Sequence, residues 1–274
     1  MPELPEVQTV LSTLEHLIAR KEIAKIDILW DNILENVGNE EFITSLVGKS
    51  FQQFKRKGKY LIFQFEDETL ITHLRMEGKF YYFKNEEIPN KHTHIVFHFS
   101  DGSSLHYHDI RKFGRMYLYH HEEEWKALQL LGKEPWDESL TVAYLKQKIG
   151  KRKINVKQLL LDQSIIAGIG NIYASEILFR TKIHPLTLAR KLKDSELHSL
   201  IDCTRSILEE AIAQGGTTVR SYTSSLGVSG KFQLSLFVYQ REGELCKICG
   251  SEIKRIAQNG RSSFYCPTCQ KERK

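Results

Sequence analysis

Four cysteines near the end of the chain carry the clearest chemistry. Cys246-Lys247-Ile248-Cys249 and Cys266-Pro267-Thr268-Cys269 each set two thiols on a tight knuckle, and the 16 residues between the pairs allow a small hairpin. Four thiolates around a tetrahedral ion is the arrangement zinc favours. A tail this short lacks the apolar surface to fold by burial, so the metal would supply the missing stability. Reversible disulfides are the competing reading, disfavoured by the spacing. At the other end, Pro2 follows Met1, and a small second residue invites removal of the methionine. Freed in this way, Pro2 presents a secondary amine with an α-amino pKa of about 8, a competent nucleophile toward an aldehyde-like carbon. Glu3 stands beside it and could carry protons. Taken alone, Pro2 and Glu3 read as nothing more than the arm leading into a helix.

The elements that must position these groups follow from periodicity. Val7, Val10, Leu11, Leu14, Leu17 and Ile18 recur at helical spacing, and Pro5 suits the first turn. From Phe51 to about Leu118 short strands are expected at 60–65, 69–74, 93–99, 104–107 and 115–119. In the third of these, Ile95, Phe97 and Phe99 occupy one face and His94, Val96 and His98 the other. Beyond Leu118 the acidic run Glu122–Glu124 and the segment Gly132–Pro135 read as a linker. Helices are then expected at 144–149, 156–161, 172–179 and 197–213, broken at Gly168–Asn171 and His184-Pro185. Lys146 to Lys157 carries six basic residues and no acid. Gly215 to Gly230, rich in Gly, Ser and Thr, reads as a mobile loop. The expected class is therefore α+β and multidomain: a β-sandwich flanked by helices over 1–132, a helical domain over 133–234 and a four-cysteine hairpin over 235–274.

Hydrophobic residues make up 41% of the 274 residues, which excludes a chain too polar to fold. No apolar run reaches the roughly 18 residues a membrane span needs, and no secretory signal is visible. The cysteine usage is that of an intracellular protein, with Cys203 expected as a buried apolar residue. A net charge of +5 permits a nucleic-acid partner without requiring one. Arg261 near the hairpin tip, with Lys254, Arg255, Lys271, Arg273 and Lys274, tilts the tail toward DNA.

Six blocks in register raise these separate signals to a resemblance. Pro2-Glu3-Leu4-Pro5-Glu6, Lys57-Gly58-Lys59-Tyr60, His73-Leu74-Arg75-Met76-Glu77-Gly78, Asp109-Ile110-Arg111-Lys112-Phe113-Gly114, Gly168-Ile169-Gly170-Asn171-Ile172-Tyr173 and the four terminal cysteines span nearly the whole chain. Together the sequence resembles the bacterial formamidopyrimidine-DNA glycosylases, of the wider formamidopyrimidine-DNA glycosylase/endonuclease VIII family. Leu4 stands where the branch acting on oxidised pyrimidines usually has Gly, which favours the purine branch. Gln8 replaces a common Glu, and Gln240 replaces the Gly that commonly follows the tyrosine.

The resemblance implies a bifunctional enzyme of base excision repair with a helix–two-turns–helix domain. It makes Pro2 the nucleophile at C1′ of a damaged nucleotide, Glu3 the general acid/base and Lys59 an active-site lysine near phosphate. Base loss is then followed by β- and δ-elimination. Met76, Arg111 and Phe113 would fill the void left when the nucleotide flips out, Arg111 meeting the orphaned base. If their segment is extended, Arg111 and Phe113 share a strand face. Asn171 and Arg261 would contact DNA backbone, with His73 and Lys157 as further phosphate candidates and Glu6 helping to position the lesion. One structural Zn²⁺ is expected on Cys246, Cys249, Cys266 and Cys269, with no catalytic metal. The implied partner is double-stranded DNA carrying oxidised purines or abasic sites. The enzyme would act as a monomer in the cytoplasm, at the nucleoid.

Two other readings differ in kind. An oxidised-pyrimidine glycosylase would keep the chemistry and change the base. A noncatalytic damage binder would keep the tail and helices but gives no reason for Pro2, Glu3 and Lys59 to occur together. A zinc-ribbon transcription factor leaves the first 240 residues idle.

Overall fold

A computed structural model describes residues 1–120, 125–217 and 231–272. The acidic run at 122–124, most of the loop expected at 215–230, and Arg273 and Lys274 lie outside the described residues. The chain divides into two compact units, one formed by 1–129 with 215–230 and the other by 130–214 with 231–274.

In the first unit, helix α1 (Leu4–Ile18) begins at Glu3 and buries Val7, Val10, Leu11, Leu14 and Ile18, the stripe the periodicity predicts. Strand β1 (Ile23–Ile28) and helix α2 (Asn39–Leu46) follow. Next come β2 (Gln53–Lys57), β3 (Tyr60–Gln64), β4 (Thr69–His73), β5 (Lys79–Phe83), β6 (Thr93–Phe99), β7 (Ser104–His108) and β8 (Arg115–Tyr119). They form two antiparallel four-stranded sheets, β1-β6-β7-β5 and β2-β3-β4-β8. Apolar side chains of both sheets and of α1 share one core, in which Phe63 of β3 meets Phe80 of β5 edge-on at 6.1 Å. Both faces of β6 are covered: His94 and Val96 are as buried as Ile95 and Phe97.

The second unit is helical, with α3 (Lys126–Gln129) belonging to the first unit just before it. It contains α4 (Val142–Ile149), α5 (Val156–Leu161), α6 (Asn171–Arg180) and α7 (Asp194–Ala213), then the hairpin β9 (Lys254–Gln258) and β10 (Arg261–Tyr265). Asn155 caps α5 and is answered by Gln158, a reciprocal pair that fixes where that helix starts. The loop before α6 is stitched by Gln163, whose Oε1 accepts from Gly168 N–H and whose Nε2 donates to Ile169 C=O. Cys203 is half-buried on α7, less enclosed than an apolar role predicts. The basic run is partly spent within the unit: Lys146 pairs with Asp194 and Arg152 with Asp162. Gln240 adopts φ +58°, the left-handed backbone that favours glycine. No described helix is long and apolar enough to cross a membrane.

Candidate functional site

The N-terminal arm is held by its own first turn. Glu3 N–H donates to Glu6 Oε2 at 2.9 Å, so the residue after Pro2 cannot swing freely. Glu6 Oε1 accepts from both the backbone N–H and the hydroxyl of Thr217, at 2.8 and 2.9 Å. The neighbouring Gly216 has φ +75° and packs so close to Glu6 that a side chain there would press on its carboxylate. Pro2, Glu3 and Glu6 are all buried. In this chain Met1 is present, so the Pro2 nitrogen is a peptide nitrogen and the free amine belongs to Met1. Burial holds that amine below its ordinary pKa. Lys59 reinforces the shift, while Glu3, Glu6 and Glu77 oppose it.

Lys59 reaches this group from a two-residue hairpin. Lys57 pairs with Tyr60, and Gly58 takes φ +56° as the first residue of the tight connection, leaving Lys59 at the tip and almost fully buried. Arg56 ties the hairpin to α1 by donating to Gln8 Oε1 at 3.0 Å, so the replacement of Glu by Gln at position 8 keeps a hydrogen bond there. His73 closes β4 with its ring against Tyr60. Its Nδ1 accepts Arg75 N–H at 2.9 Å. Burial, with help from Arg75 and Lys59, pushes His73 down to about 3, so its imidazole is neutral at physiological pH.

Met76, Arg111 and Phe113 stand on two loops of the first unit. Met76 is 38% exposed and Phe113 45%, unusual for large apolar groups so near a core. The segment at 109–114 is not extended but a loop wound about one carboxylate. Asp109 accepts N–H bonds from Arg111 at 3.0 Å, Phe113 at 3.0 Å and Gly114 at 2.7 Å, and Lys112 between them takes φ +57°. Strand alternation therefore does not bring Arg111 and Phe113 together. The Arg111 guanidinium lies over the Phe113 ring at 4.6 Å from the centroid, a cation–π contact that presents the two as one unit. Asp109 is completely buried, and periodicity gave it no role. The signal that could have found it is an Asp placed two residues before a backbone donor in a turn.

In the second unit the four cysteine sulfurs all lie within 4.8 Å of one another. Cys246–Cys269 and Cys249–Cys266 separations of 4.0 and 3.4 Å bracket the ~3.8 Å edge of a tetrahedron built on Zn–S bonds of about 2.3 Å. Ile248 N–H and Cys269 N–H point at Cys246 and Cys266 sulfurs, as in a metal knuckle. The donor set fits one structural zinc ion. The hairpin turns at Asn259-Gly260, φ +50° and +71°, and exposes Arg261 immediately after it.

Lys157 is buried and Asn171 half-buried, and both side chains are engaged within the unit. Lys157 is 2% exposed, and its Nζ donates to Ser262 C=O at 3.0 Å and to Ser175 Oγ at 3.4 Å. Asn171 Nδ2 donates to the same Ser262 carbonyl at 3.0 Å. Both therefore hold the residue next to Arg261. Sequence reasoning also missed Glu176, a buried carboxylate of α6 that accepts N–H from Phe237, Val238 and Tyr239 at 2.8 to 3.0 Å, fixing the approach to the cysteines.

Known proteins match over this whole architecture. Residues 1–116 match the family model for the formamidopyrimidine-DNA glycosylase N-terminal domain, and 131–223 match that family's H2TH domain. Residues 243–271 match a zinc finger found in the same glycosylases and in isoleucyl-tRNA synthetase. The chain is 45% identical to formamidopyrimidine-DNA glycosylase of Bacillus licheniformis, over 99% of this chain and 100% of the relative. It is 46% identical to that of Ligilactobacillus salivarius, covering 98% and 99%. Among solved structures, a single-residue mutant of the Lactococcus lactis enzyme with a Fapy-dG-containing DNA superposes with a TM-score of 0.93 at 38% identity, covering 99% of this chain and 100% of the other. Its complex with abasic-site DNA gives 0.92 at the same identity, covering 98% and 100%. With three successive domain matches and end-to-end relatives, the chain belongs to the formamidopyrimidine-DNA glycosylase family.

Proposed function

We propose that this DNA glycosylase excises oxidised purines, 8-oxoguanine and formamidopyrimidines, and then cleaves the abasic strand by β,δ-elimination. After Met1 removal the Pro2 amine attacks C1′, the glycosidic bond breaks and the base leaves, giving an iminium linked to the opened sugar. Glu3 supplies and recovers protons during ring opening and base loss. Lys59 neutralises a phosphate beside the reacting sugar. The two eliminations then expel the 3′ and 5′ phosphates in turn. The observation carrying this reading is the placement of the arm: Pro2, Glu3 and Glu6 are buried at the start of α1, and the buried Lys59 acts electrostatically on the amino terminus beside them.

The roles of the remaining residues follow. Glu6 positions the flipped nucleotide's side of the site. Met76, Arg111 and Phe113 occupy the vacated stack, with Arg111 reading the orphaned base. His73, held neutral, offers only an Nε2–H donor to phosphate. Asn171 and Arg261 engage backbone, and Lys157 serves by fixing the hairpin tip. The zinc ion is structural. The relatives' complexes with Fapy-dG and abasic DNA support double-stranded DNA with such lesions as the partner of a monomeric enzyme working at the nucleoid. Functionally the chain divides at 1–132, 133–234 and 235–274.

Borohydride trapping on an 8-oxoguanine:cytosine duplex, with mass spectrometry of the attached peptide, tests this directly. The adduct should map to Pro2, and protein retaining Met1 should not trap. Trapping at an undiminished rate with Met1 in place, or an adduct on Lys59, overturns the mechanism.

A further inference from the structure

Tyr107 is buried in β7, its ring edge-on to Phe80 at 5.1 Å, with no solvent exposure. Its hydroxyl points out of the core toward the bases of two loops. A Cβ added to Gly78 would overlap that hydroxyl, and a Cβ added to Gly114 would overlap it as well. Both glycines therefore let backbone close onto one oxygen atom where no side chain fits.

These two positions are the ends of the loops that carry the exposed side chains. Gly78 N–H donates to Leu74 C=O at 3.0 Å and closes the 74–78 turn that presents Met76. Gly114 N–H donates to Asp109 and closes the 109–114 loop that presents Arg111 and Phe113. Each loop also contains a non-glycine residue in left-handed backbone, Arg75 at φ +53° and Lys112 at φ +57°, so each is a constrained turn with one dominant shape. Two stiff loops closed over a common oxygen cannot change their separation independently.

We propose that Tyr107 is a positioning residue that couples the two void-filling loops, setting the spacing at which Met76 and the Arg111–Phe113 pair enter DNA together. The inference rests on the void-filling reading above. Three side chains must occupy one gap in the base stack, so an error in loop spacing acts on insertion and not on the chemistry at the amine. Removing the hydroxyl leaves a small void between the loop bases and lets each relax alone.

Tyr107→Phe is the informative change, since the ring and its packing remain. Single-turnover excision of 8-oxoguanine should fall about tenfold, while cleavage of a preformed abasic site, which needs less help in opening, should fall by less than about twofold. Amide hydrogen exchange should rise in both 74–80 and 109–116, with 69–73 unchanged. Gly78→Ala gives a second arm: pressing on the same hydroxyl, it should raise exchange in 109–116, a loop it does not contain. Equal losses on both substrates, exchange rising in only one loop, or a Gly78→Ala effect confined to 74–80 each overturns the coupling. Met76→Ala and Phe113→Ala in the same assay separate the two ideas. If they are lesion-selective and Tyr107→Phe is not, Tyr107 alone is misassigned. If they lose equally on both substrates, the void-filling reading has failed and the coupling falls with it.

Discussion

Glu6 is shared between the start of the chain and Thr217. One carboxylate oxygen holds Glu3 N–H, and the other takes both donors of Thr217. Thr217→Val keeps shape and backbone bond while removing the hydroxyl, at a cost of about 1 kcal/mol. Glu6→Gln should be worse, because its amide can place oxygen toward only one of the two sides and turns N–H against N–H on the other. The expected result is a fall of about tenfold in trapping rate for Glu6→Gln and a smaller one for Thr217→Val. Equal, negligible effects of both would show that arm anchoring does not limit the reaction.

Zinc removal should unfold the tail selectively. The small core around the cysteines joins Val238, Ile253 and Phe264 to Phe179 of α6, leaving little apolar packing to hold the tail once the metal no longer ties the two knuckles together. Chelation, or Cys266→Ser, should raise amide exchange across 243–271 while 1–120 keeps its unfolding transition. With Arg261 no longer presented, DNA affinity should drop and its salt slope should fall by about 1. Metal-free protein with unchanged exchange in the tail would contradict this.

His73 makes stability fall in acid. Its folded pKa lies near 3, below the ordinary 6.5, so the unfolded chain binds the extra proton first. Its contribution is complete above the ordinary value and lost progressively as pH drops toward the folded one, amounting to about 2 kcal/mol near pH 5. His106, pushed by burial to about 4, acts in the same direction. His73→Gln should flatten the dependence of unfolding midpoint on pH between 6.5 and 4. An unaltered profile would mean that His73 is not held neutral.

Gln240 offers a gain. At φ +58° a non-glycine residue is strained by about 1 kcal/mol, partly offset because glycine loses more backbone entropy on folding. Gln240→Gly should therefore raise stability by about 0.5 kcal/mol, read from denaturant midpoints at constant slope. Destabilisation would indicate that the side chain makes compensating contacts.

How legible the fold was in the sequence depended on how much apolar surface a strand buries, which in turn depends in part on its place in the sheet. β3, β4, β6 and β7, each paired on both sides, were readable as strands, and so was the edge strand β8, whose Met116, Leu118 and Tyr119 are buried. β1, β2 and β5 were not, and all three are edges. Gln53-Phe54-Lys55-Arg56-Lys57 shows why: an edge exposes charge to block further pairing, and that charge erases the hydrophobic signal. The zinc knuckles and α1 were legible because spacing alone defines them. The loop at 109–114 was not, since its shape comes from one carboxylate gathering three backbone donors. The meeting of Tyr107 with Gly78 and Gly114 is wholly non-local and leaves no periodic trace.

The lock between Glu6 and Thr217 also has a meaning in time. Its two halves are separated by some three-quarters of the chain, and the first compact unit is drawn from 1–129 and 215–230, with the intervening residues belonging elsewhere. On the ribosome, the two sheets can pair as soon as Tyr119 emerges, yet the N-terminal arm must wait for residue 217. A nascent chain can thus carry a folded sandwich whose amino-terminal arm has no Thr217 to hold Glu6 until most of the protein has been made.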